Sequence, residues 1–376
     1  MIMVANTLEK RDNSALYRTV WRWHFYAGLF CIPFVVLLSI TGAVYLFKPQ
    51  YTAWQEGAYR NLELSGSRAT ANQHIAAALA AFPQAKFRSY QLPESPNDAV
   101  VIDVISQGER FTAYVQPHSN EVLGSRRFNS GLMQFVKRVH GSLLVGVAGS
   151  ILVELAASWA IVLILSGVYL WWPRNAKGLA GVLYPRFSGG TRQVWRDVHA
   201  VVGFWISVFV LFLLVSGLPW TQVWGQAFKS TRGWLSSVQS SGWESDARAQ
   251  RQSWRADAVT SYDLDAQVLA TAHGLGFAAP SELSVSDETT NEWKLSSQTQ
   301  NRPQRADAWI QGGTGAIIEQ RHFADKPLTD KVIGVGIAAH EGHLFGWLNQ
   351  LLGVVIALAL VLLCVSGVVM WRKRRL

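Results

Sequence analysis

Cysteine is nearly absent from this chain, with two in 376 residues, Cys31 and Cys364. Both lie inside apolar runs, which excludes a disulfide framework and any Cys-ligated zinc or iron–sulfur centre. No Cys-x-x-Cys-His occurs, so covalently attached haem is excluded as well. No Gly-x-Gly-x-x-Gly follows a strand pattern and no Walker loop is present, which leaves a dinucleotide cofactor and ATP hydrolysis without support. Charged residues are sparse, at 16%, yet the net charge is +9. The Lys and Arg residues sit beside apolar runs and not along a polar helix face, so nucleic acid is not an expected partner. What is abundant is apolar and aromatic: 49% of residues are hydrophobic and 17 are Trp. Positive mean hydropathy combined with a basic balance fits a membrane protein with basic ends on one side of the bilayer.

Four runs are long enough to cross a bilayer core, which takes about 20 apolar residues: His24–Phe47, Leu143–Trp172, Val198–Trp220 and Leu344–Trp371. The first is too long for a signal-peptide core, and no small-residue cleavage site follows it. Lys10, Arg11, Arg18 and Arg22 precede the first run. Arg174, Lys177, Arg186, Arg192 and Arg196 fill the loop between the second and third, and Arg372 to Arg375 follow the fourth. The positive-inside rule then places both ends and this loop in the cytoplasm and the two long segments outside, in a bacterium the periplasm. The expected organisation is a cytoplasmic N-terminus with helix one (1–47), a periplasmic domain (48–139), helix two (140–172) and a basic loop (173–195). Helix three (196–220), a second periplasmic domain (221–339), and helix four with a basic tail (340–376) complete it.

The chain repeats itself. At an offset of 200 residues His140 aligns with His340, Gly146 with Gly346, Ser166-Gly167 with Ser366-Gly367 and Trp171 with Trp371. At an offset of 175, His24 aligns with His199, Gly28 with Gly203 and Thr41-Gly42 with Ser216-Gly217. The fold class expected is an α-helical integral membrane protein of two parallel repeats, each comprising helix, small α+β periplasmic domain, helix. Asn72–Ala81 reads as a helix, with strands at Phe87–Leu92, Ala99–Ile105 and Arg110–Gln116. In the second segment Asp263–Leu275 reads as the helix, with strands near Glu282–Val285, Trp293–Ser297, Ala306–Gln311 and Ala316–His322. The Trp-rich stretch Thr221–Arg255 suits a helix or loop at headgroup level, or a linker.

Five of nine histidines sit at the ends of the apolar runs: His24, His199, His140, His340 and His343. A single histidine there is ordinarily a hydrogen-bonded interfacial residue. The set is different, because His24 and His199 occupy equivalent places at one face and His140 and His340 at the other. Two neutral imidazoles facing each other across a bundle are natural axial ligands of a b-type haem, so two haems are expected. Gly28 and Gly203, one turn inside their histidines, leave room for a flat macrocycle, and Arg22 and Arg196 either suit haem propionates or serve only as topological charge. His340 and His343, with Glu341 between them, leave zinc as a rival metal. Glu154, inside the second run, is either a functional intramembrane carboxylate or a hydrated structural one.

The motifs His24-Phe25-Tyr26-Ala27-Gly28-Leu29, His140-Gly141-Ser142-Leu143-Leu144, Trp195-Arg196-Asp197-Val198-His199 and His340-Glu341-Gly342-His343-Leu344-Phe345-Gly346 occur in order on four helices. With the Ser/Thr-Gly pairs they make the chain resemble the PepSY-associated transmembrane proteins, iron-regulated proteins of the bacterial inner membrane that include ferric-siderophore reductases. The resemblance covers nearly the whole chain. It implies haem b in the membrane domain and electron delivery to a ferric siderophore in the periplasm. It favours His340 over His343 as ligand, because the place of His343 is commonly Arg in that family. Electrons would then come from a quinol or a separate cytoplasmic reductase. A siderophore or iron permease, and a non-catalytic periplasmic interaction or regulatory protein, are the alternatives from other classes.

Overall fold

The computed structural model describes residues 2–174, 178–238 and 259–373, with side chains from 15 to 231 and from 259 onward within those ranges. Lys177, Trp243, Trp254, Arg255, Arg374 and Arg375 lie outside the described residues, as do the side chains of Lys10, Arg11 and Trp234. The chain divides into two compact units, one of residues 1–47, 135–237 and 340–376 and the other of 48–134 and 238–339.

The first unit is a four-helix bundle. Helix α1 runs Ile2–Leu46 and α2, a short helix of the other unit, Lys48–Gln55. A third helix, α3 (Ala71–Ala80), also belongs to the other unit, while α4 (Leu132–Ser142) leads into the long α5 (Gly146–Trp171). Then come α6 (Thr191–Gly217) and α7 (Val223–Val238). After α8 (Ala266–Gly274) and α9 (Leu328–His340) the bundle closes with α10 (Trp347–Arg372). Four segments are long and apolar enough to cross a membrane: Ala15–Leu46, Gly146–Trp171, Thr191–Trp220 and Trp347–Arg372. Helices α5 and α10 each pack between α1 and α6, so α1 faces α6 across the bundle. Large side chains such as Leu29, Ile40, Leu165, Val208, Val215 and Leu358 point outward, while Ala27, Cys31, Glu154, Ala156 and Ser366 are buried inside. Small and polar residues within and apolar residues without is the pattern of helices packed in lipid.

Two expected boundaries are corrected. His140 and His340 are not the first residues of helices two and four. His140 lies near the end of α4 and His340 is the last residue of α9, each separated from the membrane helix by a short turn. Gly146 (φ +64°) and Gly346 (φ +59°), 200 residues apart, both have positive φ in these turns, which glycine reaches without a Cβ clash. Hydrophobicity runs unbroken through Leu143-Leu144-Val145, so periodicity alone could not mark the break.

The second unit is one eight-stranded antiparallel sheet in the order β4-β3-β2-β1-β5-β6-β7-β8. Strands β1 (Lys86–Gln91), β2 (Val100–Ser106), β3 (Glu109–Val115) and β4 (Val122–Arg127) form one meander. The second meander is β5 (Ser281–Asp287), β6 (Glu292–Ser297), β7 (Ala306–Gln311) and β8 (Ile317–His322). The two expected α+β domains are therefore joined: β1 pairs with β5 through Tyr90–Leu283 and Gln91–Glu282. The reason is a shared core. Ile75 and Ala78 of α3 and Val268 and Ala272 of α8 enter one cluster with Phe87, Tyr90, Ile102, Leu283, Trp293 and Ile310. A side chain of this size contributes roughly 1.5–3 kcal/mol when buried, and neither meander alone would enclose it. The helix starts are fixed by side-chain caps: Thr70 with Gln73 in a capping box, and Asp265 to the amides of Gln267 and Val268. Asn72 ties them together, donating to Asp263 (2.8 Å) and accepting from the amide of Leu264 (2.9 Å).

Candidate functional site

Four of the five candidate histidines occupy equivalent settings. The Nδ1 of His24 lies 2.9 Å from Ser166 Oγ, that of His199 2.8 Å from Ser366 Oγ, that of His140 3.0 Å from Thr41 Oγ1, and that of His340 2.8 Å from Ser216 Oγ. Each hydroxyl already donates to a carbonyl of its own helix: Ser166 to Val162 (2.6 Å), Ser366 to Leu363 (2.9 Å), Thr41 to Leu37 (2.8 Å) and Ser216 to Leu213 (3.1 Å). A hydroxyl has one proton, so towards the ring it acts as acceptor and Nδ1 carries the hydrogen. His199 shows the same directly, since its Nδ1 also lies 3.2 Å from the carbonyl of Leu363, which only accepts. By this assignment the lone pair of each neutral imidazole is on Nε2.

The glycine after each hydroxyl residue lets the ring lie against the helix. A Cβ at Gly167 would stand 3.1 Å from His24 Cε1, at Gly42 3.2 Å from His140 Cε1, at Gly217 3.6 Å from His340 Cε1 and at Gly367 3.8 Å from His199 Cε1. Sequence reasoning used these Ser/Thr-Gly pairs only as alignment marks; their contact with the imidazoles is what it missed.

His24 and His199, on the facing helices α1 and α6, have ring centroids 6.4 Å apart and planes at 88°. A metal–imidazole bond of about 2 Å plus roughly 1 Å from nitrogen to ring centre, counted twice, gives about 6 Å. The spacing therefore fits one metal ion between two imidazoles. His140 and His340 precede the other facing pair, α5 and α10. His343 falls in the turn after α9 and is half-buried. Among the described residues no group of three or more His, Cys, Asp and Glu could hold a metal ion, so the three-ligand zinc arrangement does not form there.

Near His199 the buried Asp197 accepts two bonds from Arg186 side-chain nitrogens (2.6 and 3.0 Å) and two from Arg196 (2.9 and 3.2 Å). Arg196, expected at a propionate, thus directs its fork to Asp197, while Arg22 is exposed. The adjoining loop is pinned by two indoles, Trp171 Nε1 to the Val182 carbonyl and Trp205 Nε1 to that of Leu183. At Gly28 and Gly203 the nearest groups a side chain would meet are Leu163 (3.8 Å) and Leu363 (3.7 Å), an ordinary helix contact.

Glu154 is buried on α5 and faces the start of α7. Its carboxylate accepts the backbone N–H of Gln222 (3.0 Å), Val223 (3.0 Å) and Trp224 (2.6 Å) at the start of α7. Those are amides that no helical carbonyl satisfies, and the helix dipole favours an anion there. In the sheet unit His74 is buried with Nε2 2.9 Å from the Pro117 carbonyl, and burial pushes its imidazole below the usual histidine range.

A profile of the PepSY-associated TM region matches residues 21–374, a span that includes the first membrane helix from residue 21, the other three whole, and all five candidate histidines. No curated protein sequence matches the chain.

Proposed function

The chain belongs to the PepSY-associated transmembrane family, and from that premise we propose that it is a di-haem b reductase of the bacterial inner membrane. It passes electrons across the membrane to a ferric siderophore in the periplasm and releases ferrous iron for uptake. The observation that carries this reading is the fourfold arrangement of imidazoles with Nδ1 tied to a hydroxyl and Nε2 free, two of them 6.4 Å apart on facing helices. Haem b, held by two such nitrogens, supplies one-electron exchange between ferric and ferrous iron.

His24 and His199 would hold one group and His140 with His340 the other. The hydroxyl of Ser216 stands to His340 as that of Thr41 stands to His140, which supports His340 over His343. The reciprocal bonds of α1 with α4–α5, and of α6 with α9–α10, support two parallel repeats as the origin of the bundle. Seventeen residues separate His24 from Thr41, and His199 from Ser216, so the two centres are about 25 Å apart along the helices at 1.5 Å per residue. That matches a bilayer core of roughly 30 Å with one centre towards each face. The excess of Lys and Arg at the His24/His199 end orients this face to the cytoplasm, where a quinol or a separate reductase would deliver electrons. Ferric iron in a hard, oxygen-rich chelator is released on reduction because Fe²⁺ is the softer ion. The four spans are continuous helices, which offers no support to a permease built on broken helices.

The test is spectroscopic. Protein purified in detergent from haem-replete cells shows a reducible b-type spectrum with two haems per chain, extractable by acid acetone. Reduced protein then reoxidises on addition of a ferric hydroxamate with a matching ferrous-chelator signal under anaerobic conditions. Folded protein without haem overturns the reading. Haems that reoxidise with a quinone, but with none of a panel of ferric chelates, would assign it to quinone-linked electron transfer instead.

A further inference from the structure

We propose that Thr41, Ser166, Ser216 and Ser366 are positioning residues that fix the tautomer and ring orientation of the four histidines, Ser166 and Ser366 acting on the electron-transfer centre of His24 and His199, Thr41 and Ser216 on that of His140 and His340. The inference rests on the haem reading above and deepens it. Its basis is a relay repeated four times: Nδ1–H to hydroxyl oxygen, then hydroxyl to main-chain carbonyl of the same helix. A serine or threonine that only satisfies itself within a membrane helix bonds the preceding turn and stops there. Here the remaining lone pair of every one of the four meets an imidazole at 2.8–3.0 Å. An acceptor at Nδ1–H does two things to a ligating imidazole. It locks the ring so that Nε2 points in one direction, and it raises the basicity of Nε2. A more basic ligand favours ferric over ferrous iron, so the hydroxyl lowers the reduction potential of the centre it serves.

The arrangement is crossed. Helix α1 brings His24 to Ser166 of α5 and Thr41 to His140 at the end of α4; α6 brings His199 to Ser366 of α10 and Ser216 to His340 at the end of α9. Ser166 and Ser366 therefore act on the centre of His24 and His199, and Thr41 and Ser216 on that of His140 and His340. This gives a signature that loss of packing cannot imitate: each substitution moves one of two midpoint potentials and leaves the other in place.

The experiment compares wild-type protein with Ser166→Ala, Ser166→Thr and Thr41→Val by haem content and potentiometric titration. Ser166→Ala is expected to weaken ferric binding about ten-fold more than ferrous binding, which raises one midpoint by about 59 mV for a single electron. Ser166→Thr restores it, and Thr41→Val raises the other midpoint. Ser366→Ala replaces Ser166→Ala should the latter not fold. Full haem content with both midpoints unmoved in the alanine and valine variants overturns the inference and leaves the haem reading standing. So does a midpoint shift that threonine fails to reverse. Wild-type protein without haem overturns the haem reading itself.

Discussion

Replacing Gly167 by alanine sets two effects of known size against each other. Alanine in a helix interior is favoured over glycine by about 1 kcal/mol. Against this, the new Cβ would sit 3.1 Å from His24 Cε1, where carbon atoms settle at about 3.5–4.0 Å. The ring cannot swing away, because its Nδ1 is bonded to Ser166, the neighbouring residue. Retreat of His24 by a few tenths of an ångström stretches that bond and moves Nε2, at the usual overpacking cost of about 1–3 kcal/mol. The net expectation for Gly167→Ala is destabilisation of about 0–2 kcal/mol. At the equivalent Gly367 the Cβ would stand 3.8 Å from His199 Cε1, an ordinary contact, so the propensity gain of about 1 kcal/mol survives. Thermal unfolding of the two purified variants in the same detergent should rank Gly167→Ala below wild type and Gly367→Ala at or above it. Gly42→Ala (3.2 Å) and Gly217→Ala (3.6 Å) should follow the same order with a smaller gap. Equal stability of the 167 and 367 variants would refute the reasoning.

Ligand loss separates the two centres: His24→Ala or His199→Ala should remove one haem and spare the other, His140→Ala or His340→Ala should do the reverse, and His343→Ala should spare both. A periplasmic haem lost with His343→Ala but kept with His340→Ala would show the wrong pairing at that turn, read from the haem content of each variant. Glu154→Gln should leave haem content unchanged while the amides of Gln222–Trp224 exchange at least ten-fold faster with deuterium. Each charge-assisted bond to a carboxylate is worth about 1.5–3 kcal/mol, and an amide keeps one acceptor oxygen for three donors; unchanged exchange would remove Glu154 from its role at α7.

The membrane helices were legible in the sequence because runs of this length and hydropathy have few other homes, and the equivalent settings of four histidines because the two alignment offsets put them in register. The joined sheet was not. Tyr90 and Leu283 pair across nearly two hundred residues, and no local pattern records which edge of one meander meets which edge of another. Strand β4, Val122–Arg127, escaped for a more local reason. It is an edge strand carrying Gly124 and two arginines, with little alternation for a period-two reading to catch. Glu154 was ambiguous because its partners are main-chain amides, to which side-chain identity gives no clue.

The Ser/Thr-Gly pairs failed in the most informative way. In a membrane helix a serine bonded to its own preceding turn and a glycine at a close helix contact are both unremarkable, so the pairs carried weight only as matching positions. Their chemistry depends on a histidine 142 residues away in the case of Ser166 and 99 away in the case of Thr41. Both of those bonds join α1 to the α4–α5 segment, one near each end of the span. A change in the packing of α1 on α5 would therefore disturb the imidazoles at both ends of the span together, and the same holds for α6 and α10. The length of helix between His24 and Thr41 thus fixes two things at once, the separation of the two groups of imidazoles and the registry that keeps both oriented.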